Sequence, residues 1–190
     1  SDLSKILNKI KVTEYQKAVE NLAINNSDLV FNNSSPLHAS IVLSTMIRHS
    51  ESEFRIYDDN LSGDIADLNE EFYTNLDDFI KSNKILKIVI DSNHNDYKET
   101  RIYKQLIDYK NKFPQNVFIK ISNDSFKETI KKVFDKNVNF AIGDKKSFRI
   151  EDILQVEKGL RKAICCFNNP KVSEKLVASF DNSFINCQSI

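Results

Sequence analysis

The sequence predicts an α/β fold: a mostly parallel, mixed central sheet flanked by helices on both faces, entered through an N-terminal helical arm. Three observations predict it. From Phe54 to Phe134, apolar runs of four to six residues alternate with stretches of helical periodicity, and strands joined by helical crossovers pair in parallel, usually with right-handed connections. The chain of 190 residues matches one domain on a scale of about 100–200 residues per domain. Its 41% hydrophobic and 28% charged residues are an ordinary globular mixture, well away from compositions that stay disordered.

Residues 1–27 read as the arm and residues 28–190 as the domain. Leu3, Ile6, Leu7 and Ile10 have helical spacing, and Thr13–Glu14–Tyr15–Gln16 reads as a capping box opening a second helix with Tyr15, Ala18, Val19 and Leu22 on one face. After the apolar Leu29–Phe31, Ser35 caps a helix whose first residue is Pro36, with Leu37, Ile41, Val42 and Met46 inward and an end near His49. Then come a strand at Phe54–Tyr57, a helix across Ile65–Ile80, a strand at Ile85–Ile90 and a helix across Thr100–Lys112 closed by Phe113–Pro114. Asn116–Ile121 is the next strand, and Ser125–Phe134 a short helix with Phe126, Ile130, Val133 and Phe134 inward. Val138–Ile142 and Ser147–Ile150 form a hairpin about Gly143–Asp144–Lys145–Lys146. Lys162–Phe167 is a further strand, and after Asn168–Asn169–Pro170 a last helix carries Val172, Leu176, Val177, Phe180 and Phe184.

Composition removes several function classes. With three glycines there is no glycine-rich phosphate loop, so a dinucleotide fold of that type is excluded. No apolar run approaches the ~20 residues that span a bilayer, and SDLSKILNKI lacks the apolar stretch of a signal peptide; the expected location is cytoplasmic, with no membrane partner. Cys165 and Cys166 are neighbours on a strand, where they face opposite ways, and Cys187 stands alone. That is neither a disulfide framework nor a zinc set, so no cofactor is expected from the cysteines.

Lysine plus arginine and aspartate plus glutamate both number 27, yet residues 51–100 hold 13 acids and 5 bases whereas residues 101–150 hold 12 bases and 5 acids. Only segregation onto separate faces would make a field that attracts a polyanion; a mixed solvated surface is the simpler expectation. In open α/β sheets, sites lie beyond the carboxyl ends of strands. The residues there are Asp58–Asp59–Asn60, Asp91–Ser92–Asn93–His94 and Ser122–Asn123–Asp124. Asp58, Asp59 and Asp91, with His94 beside them and Asp144 as a further ligand, form a candidate Mg²⁺ site for phosphoryl transfer, since hard cations take oxygen ligands. The same residue types are also ordinary turn and helix-cap residues. His38 and His49 lie at helix ends without an evident partner, and the helix dipole at His49 would favour its protonated form.

Asn137–Val138–Asn139–Phe140–Ala141–Ile142–Gly143–Asp144, followed by Lys146–Ser147–Phe148–Arg149 and by Ala163–Ile164–Cys165–Cys166–Phe167–Asn168, resembles the last third of a phospholipase D-like domain. That superfamily carries His-x-Lys-x4-Asp, in which the His attacks phosphorus, the Lys grips phosphate oxygens and the Asp supports the motif. The spacing is kept here, with Asn137 for the His, Asn139 for the Lys and only Asp144 unchanged; the usual Gly-Ser pair on the next strand is replaced by Arg149–Ile150–Glu151. The segment Ile41–Tyr57 resembles the family's opening, and Phe180–Asp181–Asn182–Ser183–Phe184 its end.

Chemistry decides what these replacements mean. An amide nitrogen is not basic, so Asn137 cannot be the nucleophile, and Asn139 lacks the charge that stabilises a transferring phosphoryl group. The resemblance therefore implies an inactive domain that binds nucleic acid or a partner protein, in a bacterial setting such as restriction or phage defence, with Asn137, Asn139, Asp144, Lys145, Lys146 and Arg149 as the ligand-binding set. Single-motif members pair subunits across the site, which implies a homodimer. The competing readings are a Mg²⁺-dependent nuclease built on the strand-end carboxylates, and a structural subunit with an exposed apolar patch on its N-terminal arm.

Overall fold

One eight-stranded sheet organises the residues that the computed structural model describes, 1–59, 61–91, 96–152 and 162–190. Its strands are β1 (Phe31–Asn33), β2 (Glu53–Asp58), β3 (Ile85–Ile90), β4 (Val117–Ile121), β5 (Val138–Gly143), β6 (Ser147–Asp152), β7 (Ala163–Cys166) and β8 (Gln188–Ser189), in the order β1-β7-β6-β5-β2-β3-β4-β8. The sheet is mixed, as expected, but its parallel part is confined to β2, β3 and β4; every other neighbouring pair is antiparallel. The crossovers from β2 to β4 are parallel and the β5–β6 hairpin antiparallel, as read, but the sheet is not mostly parallel, because five of its seven strand pairs are antiparallel. After the next helix the chain instead returns to the free side of β2, where β5 enters antiparallel, and the tight hairpin to β6 keeps that sense. The terminal strand β8, two residues long, carries no signal in the sequence.

Six helices, among the described residues, cover the sheet: α1 (Asp2–Ile24), α2 (Pro36–His49), α3 (Glu70–Lys81), α4 (Arg101–Lys112), α5 (Asp124–Phe134) and α6 (Pro170–Phe184). Their starts are set by local chemistry. Ser35, Asn69, Thr100, Asn123 and Asn169 each accept a hydrogen bond from a backbone N–H in the first turn that follows, satisfying donors that a helix start leaves orphaned. The Asn69 cap divides the expected helix at Ile65–Ile80 into a 3₁₀ turn, Ala66–Leu68, and α3. The expected break at Thr13 is absent. With no Gly or Pro to interrupt it, α1 runs through, and the Thr13 hydroxyl donates to the Lys9 carbonyl 2.9 Å away instead of capping a new helix.

Period-two alternation sends strand side chains to two separate cores. Phe54, Leu86, Ile88, Ile90, Val117, Ile119 and Ala141 meet α2, α3, α4 and the back half of α1. Tyr57, Val89, Val138, Phe140, Ile142 and Phe148 meet α5 and α6 through Phe126, Ile130, Leu176, Val177, Phe180 and Phe184. Cys165 and Cys166 fall into different cores, as the strand reading required. Val133, expected inward, is 44% exposed. Arg55, buried on that same face, donates to both carboxylate oxygens of Asp181 on α6, at 2.8 Å each, and to Glu53 at 2.9 Å. This pins the last helix to the central strand with the fork geometry a guanidinium provides.

Candidate functional site

The strand directions bring one set of ends together. The carboxyl ends of β1, β2, β3, β4 and β6 and the beginnings of β5 and β7 share one edge of the sheet. Asn33, Asp58, Asp59, Asp91, Asn137, Asn139, Glu151 and Asp152 therefore lie along it. Asp144, Lys145 and Lys146 form the hairpin turn at the other end of β5, roughly 17 Å from Asn139 at about 3.3 Å per residue.

At this edge a continuous chain of hydrogen bonds runs through the sheet. The Asn139 Oδ1 accepts from the Asp59 backbone N–H at 3.0 Å, while its Nδ2 donates to Asp59 Oδ1 at 3.1 Å and to Glu151 Oε2 at 3.3 Å. Glu151 Oε1 accepts from Arg149 Nη2 at 3.0 Å, and Arg149 Nε donates to Asn33 Oδ1 at 3.1 Å. The Cys165 thiol donates to the same Asn33 oxygen at 3.4 Å. Register makes this possible, because Asn139 stands directly across from Glu151 and Arg149 directly across from Cys165. Asn33, Asn139, Arg149 and Glu151 are all buried, at 3%, 5%, 4% and 1% exposure. A charged pair this dry persists only with its remaining hydrogen-bond capacity satisfied.

Electrostatics keep the neighbouring groups neutral. Burial pushes the Cys165 thiol up to about 12, so it is no nucleophile. Tyr15 of α1 is raised to about 12, chiefly by burial and then by Cys165; its ring stacks on His38 at 3.7 Å between centroids. Burial also lowers the pKa of His38. The Tyr57 phenol is pushed far above its ordinary value by burial, then by the carboxylates of Asp91, Asp59 and Asp58.

Each predicted site residue can now be placed. Asp59 is engaged by Asn139, and Asp91 pairs with Lys127 at 2.9 Å. Asp58 borders a small apolar cavity between the sheet and α3 and α4. Among the described residues no three His, Cys, Asp or Glu side chains gather as a metal-holding group. His94, Asn60, Ser92 and Asn93 lie outside the described residues. Asn137 is exposed and Asn139 buried. Arg149 belongs to the buried chain, whereas Lys145 and Lys146 lie at the far turn, so the expected ligand set is split between the two ends of β5. Asp144, there, accepts from the N–H groups of Glu51, Ser52 and Glu53 and from the Ser52 hydroxyl at 2.9–3.1 Å. Burial works to raise its pKa, and these donors bring it below the ordinary value. Asp144 is thus a clasp on the loop into β2. His49 has a partner after all, Glu20 of α1 at 2.7 Å, and its pKa is lowered by burial, then by Arg48 and Lys146, against the helix-dipole expectation.

Sequence reading noted Glu151 only as a departure from the family pattern and did not place it or Asn33 in the site. The signal available for Glu151 was its alternation with Arg149 on a strand of apolar neighbours; Asn33 offered none, since its partners are more than a hundred residues away. At the same edge, with its apolar wall on the opposite face, a cleft of ≈ 710 Å³ is lined by Phe134, Val138, Ile150 and Ile164, with Asn33, Asp152, Lys136 and Lys162 among its polar residues. Lys136 reaches Asp152 at 3.3 Å.

No family model and no curated protein matches the sequence. Solved structures match its fold. TrmBL2, an archaeal chromatin protein with a novel mode of DNA binding, aligns over 100% of this chain with a TM-score of 0.59 and 14% identity, and this chain spans only 66% of that longer one. Nuc from Salmonella typhimurium, a phospholipase D family member, aligns over 85% of this chain and 97% of its own, with TM-score 0.59 and 14% identity. NucT from Helicobacter pylori aligns over 85% of this chain and 100% of its own, with TM-score 0.55 and 14% identity. The eight-stranded mixed sheet with its two helical layers has the phospholipase D-like fold.

Proposed function

We propose that this chain is a phospholipase D-like domain without phosphohistidine chemistry, working by binding nucleic acid. The observation that carries the reading is the state of Asn139. At the position where the family resemblance sets the phosphate-gripping lysine, a buried amide is held between the carboxylates of Asp59 and Glu151. A lysine there would present a cation to phosphate; here an anion would meet two carboxylates instead. The exposed amide of Asn137, at the histidine position, supplies no nucleophile and relays no proton.

Binding, in this reading, is moved off the motif and onto the cleft of the opposite face. Lys136 and Lys162 there suit backbone phosphates, and Phe134 offers a ring for a base. The DNA binding of TrmBL2 supports a nucleic acid over a partner protein as the ligand. Basic residues of the 101–150 segment sit on α4, on α5 and in the hairpin turn, and so fall on both faces of the sheet; the expected affinity is modest and strongly salt-dependent.

The test is fluorescence anisotropy with single- and double-stranded DNA and RNA between about 50 and 200 mM salt, beside a phosphodiesterase assay in EDTA and then with Mg²⁺ or Mn²⁺. Expected are saturable binding that falls with salt, is weakened by Lys136→Ala, Lys162→Ala and Phe134→Ala, and is accompanied by no cleavage. Cleavage in EDTA would overturn the loss of family chemistry. Metal-dependent cleavage abolished by Asp58→Ala/Asp59→Ala would place an active site on the carboxylates. Absence of binding would remove nucleic acid as the ligand.

A further inference from the structure

Seven of the twelve exposed large apolar residues among the described residues lie in the first thirty positions, and four of them, Leu3, Ile6, Leu7 and Ile10, are 50–78% exposed on the front half of α1. Every residue from Ser1 to Lys11 is exposed. Only the back half is docked, through buried Val19, the Tyr15–His38 stack, and Glu20 with Arg48 and His49 of α2. A free helix of this length is marginal in water, where isolated helices need about 12–15 residues or more. The front half is therefore a helix with a stripe and no cover.

We infer that this stripe pairs with the stripe of a second copy of the chain, the two helices antiparallel about a two-fold axis that passes between Ile6 and Leu7. The sequence spacing itself selects that partner. At about 100° per residue, Leu3 and Ile10 lie at the centre of the stripe, with Ile6 and Leu7 about 50° to either side. The order reads the same in both directions. A two-fold axis at its midpoint thus sets Leu3 against Ile10 of the second copy and Ile6 beside Leu7, the self-matching that an isologous contact requires.

Charge selects the direction. Asp2 and Lys9 occupy one flank of the stripe and Ser4 and Lys11 the other, each about 90–110° from its centre. In an antiparallel pair like flanks meet, so the Asp2 carboxylate faces the Lys9 ammonium of the second copy, twice by symmetry. In a parallel pair opposite flanks meet, and Lys9 would face Lys11. The antiparallel pair also places the docked back halves, from Tyr15 onward, beyond either end of the contact. This contact is separate from the strand-end edge and does not use the nucleic-acid cleft.

The test is sedimentation equilibrium of the full chain, freed of nucleic acid, over a roughly hundredfold concentration range, because self-association follows mass action. Wild type is expected to rise from the 21.9 kDa monomer toward twice that mass. Ile6→Glu/Leu7→Glu is expected to stay monomeric throughout and to melt with wild type at concentrations where wild type is itself monomeric, since both residues are exposed. Asp2→Lys or Lys9→Asp alone should weaken the dimer severalfold, and the two together should restore it. A wild type that stays monomeric would overturn the inference and give the stripe to a different partner. A dimer that survives Ile6→Glu/Leu7→Glu would overturn it in favour of another surface. A double reversal no tighter than either single one would overturn the antiparallel register.

Discussion

Asn139 and Asp59 hold each other reciprocally, the amide oxygen accepting from the backbone N–H and the amide nitrogen donating to the carboxylate, across eighty residues of chain. The pair ties the loop after β2 to the start of β5 at the strand-end edge of the sheet. Replacing Asn139 by Leu keeps the branched shape and removes its polar atoms, leaving the Asp59 N–H and carboxylate and one Glu151 oxygen without this donor or acceptor. The expected cost is about 1–3 kcal/mol, the usual penalty for a stranded buried polar group, read by urea denaturation. Asn139→Asp should be worse near pH 7, because a third carboxylate joins two. Its carboxyl would be raised in the folded state, so its deficit against wild type should shrink as pH falls toward about 5. A deficit that is flat with pH would show that the three groups do not sense one another.

Arg149 and Glu151 form an ion pair whose side chains are 5% and 2% exposed. Removing one partner of such a pair costs about 3–5 kcal/mol, whereas replacing both with apolar residues of similar volume is often neutral or better. Arg149→Met and Glu151→Leu are each expected to lower stability by several kcal/mol, with the double variant recovering most of the loss. Stability of the double variant equal to the sum of the two losses would mean that Asn33 and Asn139, and not the pair itself, hold the edge together.

How much of this could be read in advance follows the range of the interaction. Ser35 before Pro36, Thr100, Asn123 and the Asn169–Pro170 step announce helix starts because the cap and the N–H it serves are two or three residues apart. The opposite facing of Cys165 and Cys166 is equally local. The strand order is not local. Nothing near Val138 says that β5 will lie beside β2 and not beside β4, a choice made by packing α5 and α6 on one face. For the same reason Thr13 misled: its side chain competes between capping forward and bonding back to Lys9, and the docking of the back half of α1 on α2 decides. The motif's spacing was visible, but its division between two ends of one strand is a matter of geometry, since five residues of extended chain separate Asn139 from Asp144.

Asp144 gives the clearest pH prediction. Its carboxylate takes four hydrogen bonds from the Glu51–Glu53 loop, and its pKa lies below the ordinary value, burial opposing and the backbone donors prevailing. A carboxylate depressed in the folded state contributes stability that is fully present above its unfolded pKa of about 3.9 and is lost as pH falls through the folded value. Asp144→Asn is expected to be less stable than wild type by about 1–3 kcal/mol near neutrality. The gap should close below about pH 4. Equal acid midpoints in guanidinium titrations of the two proteins would contradict the clasp.

The cavity beside Asp58 offers a gain of stability. It holds ≈ 70 Å³ and is walled by Leu43, Ile56, Leu61, Ala66, Phe72 and Ile88 among others. At about 24 cal/mol per Å³, an unfilled space of this size corresponds to roughly 1–2 kcal/mol of packing not made. Ala66 is the smallest wall residue with a side chain, and it sits on a short 3₁₀ turn, which accommodates a β-branched residue more easily than the middle of a long helix would. Ala66→Val is therefore expected to raise the melting temperature by about 1–4 °C, the shift that ~1 kcal/mol or less produces in a domain of this size. Ala66→Phe exceeds the space and is expected to lower it, because an overfilled core costs about 1–3 kcal/mol. The opposite order of the two variants in a thermal melt would show that the wall at Ala66 faces away from the cavity. Neither variant touches Asn139, Arg149 or Glu151, so the buried chain at the strand ends should survive both.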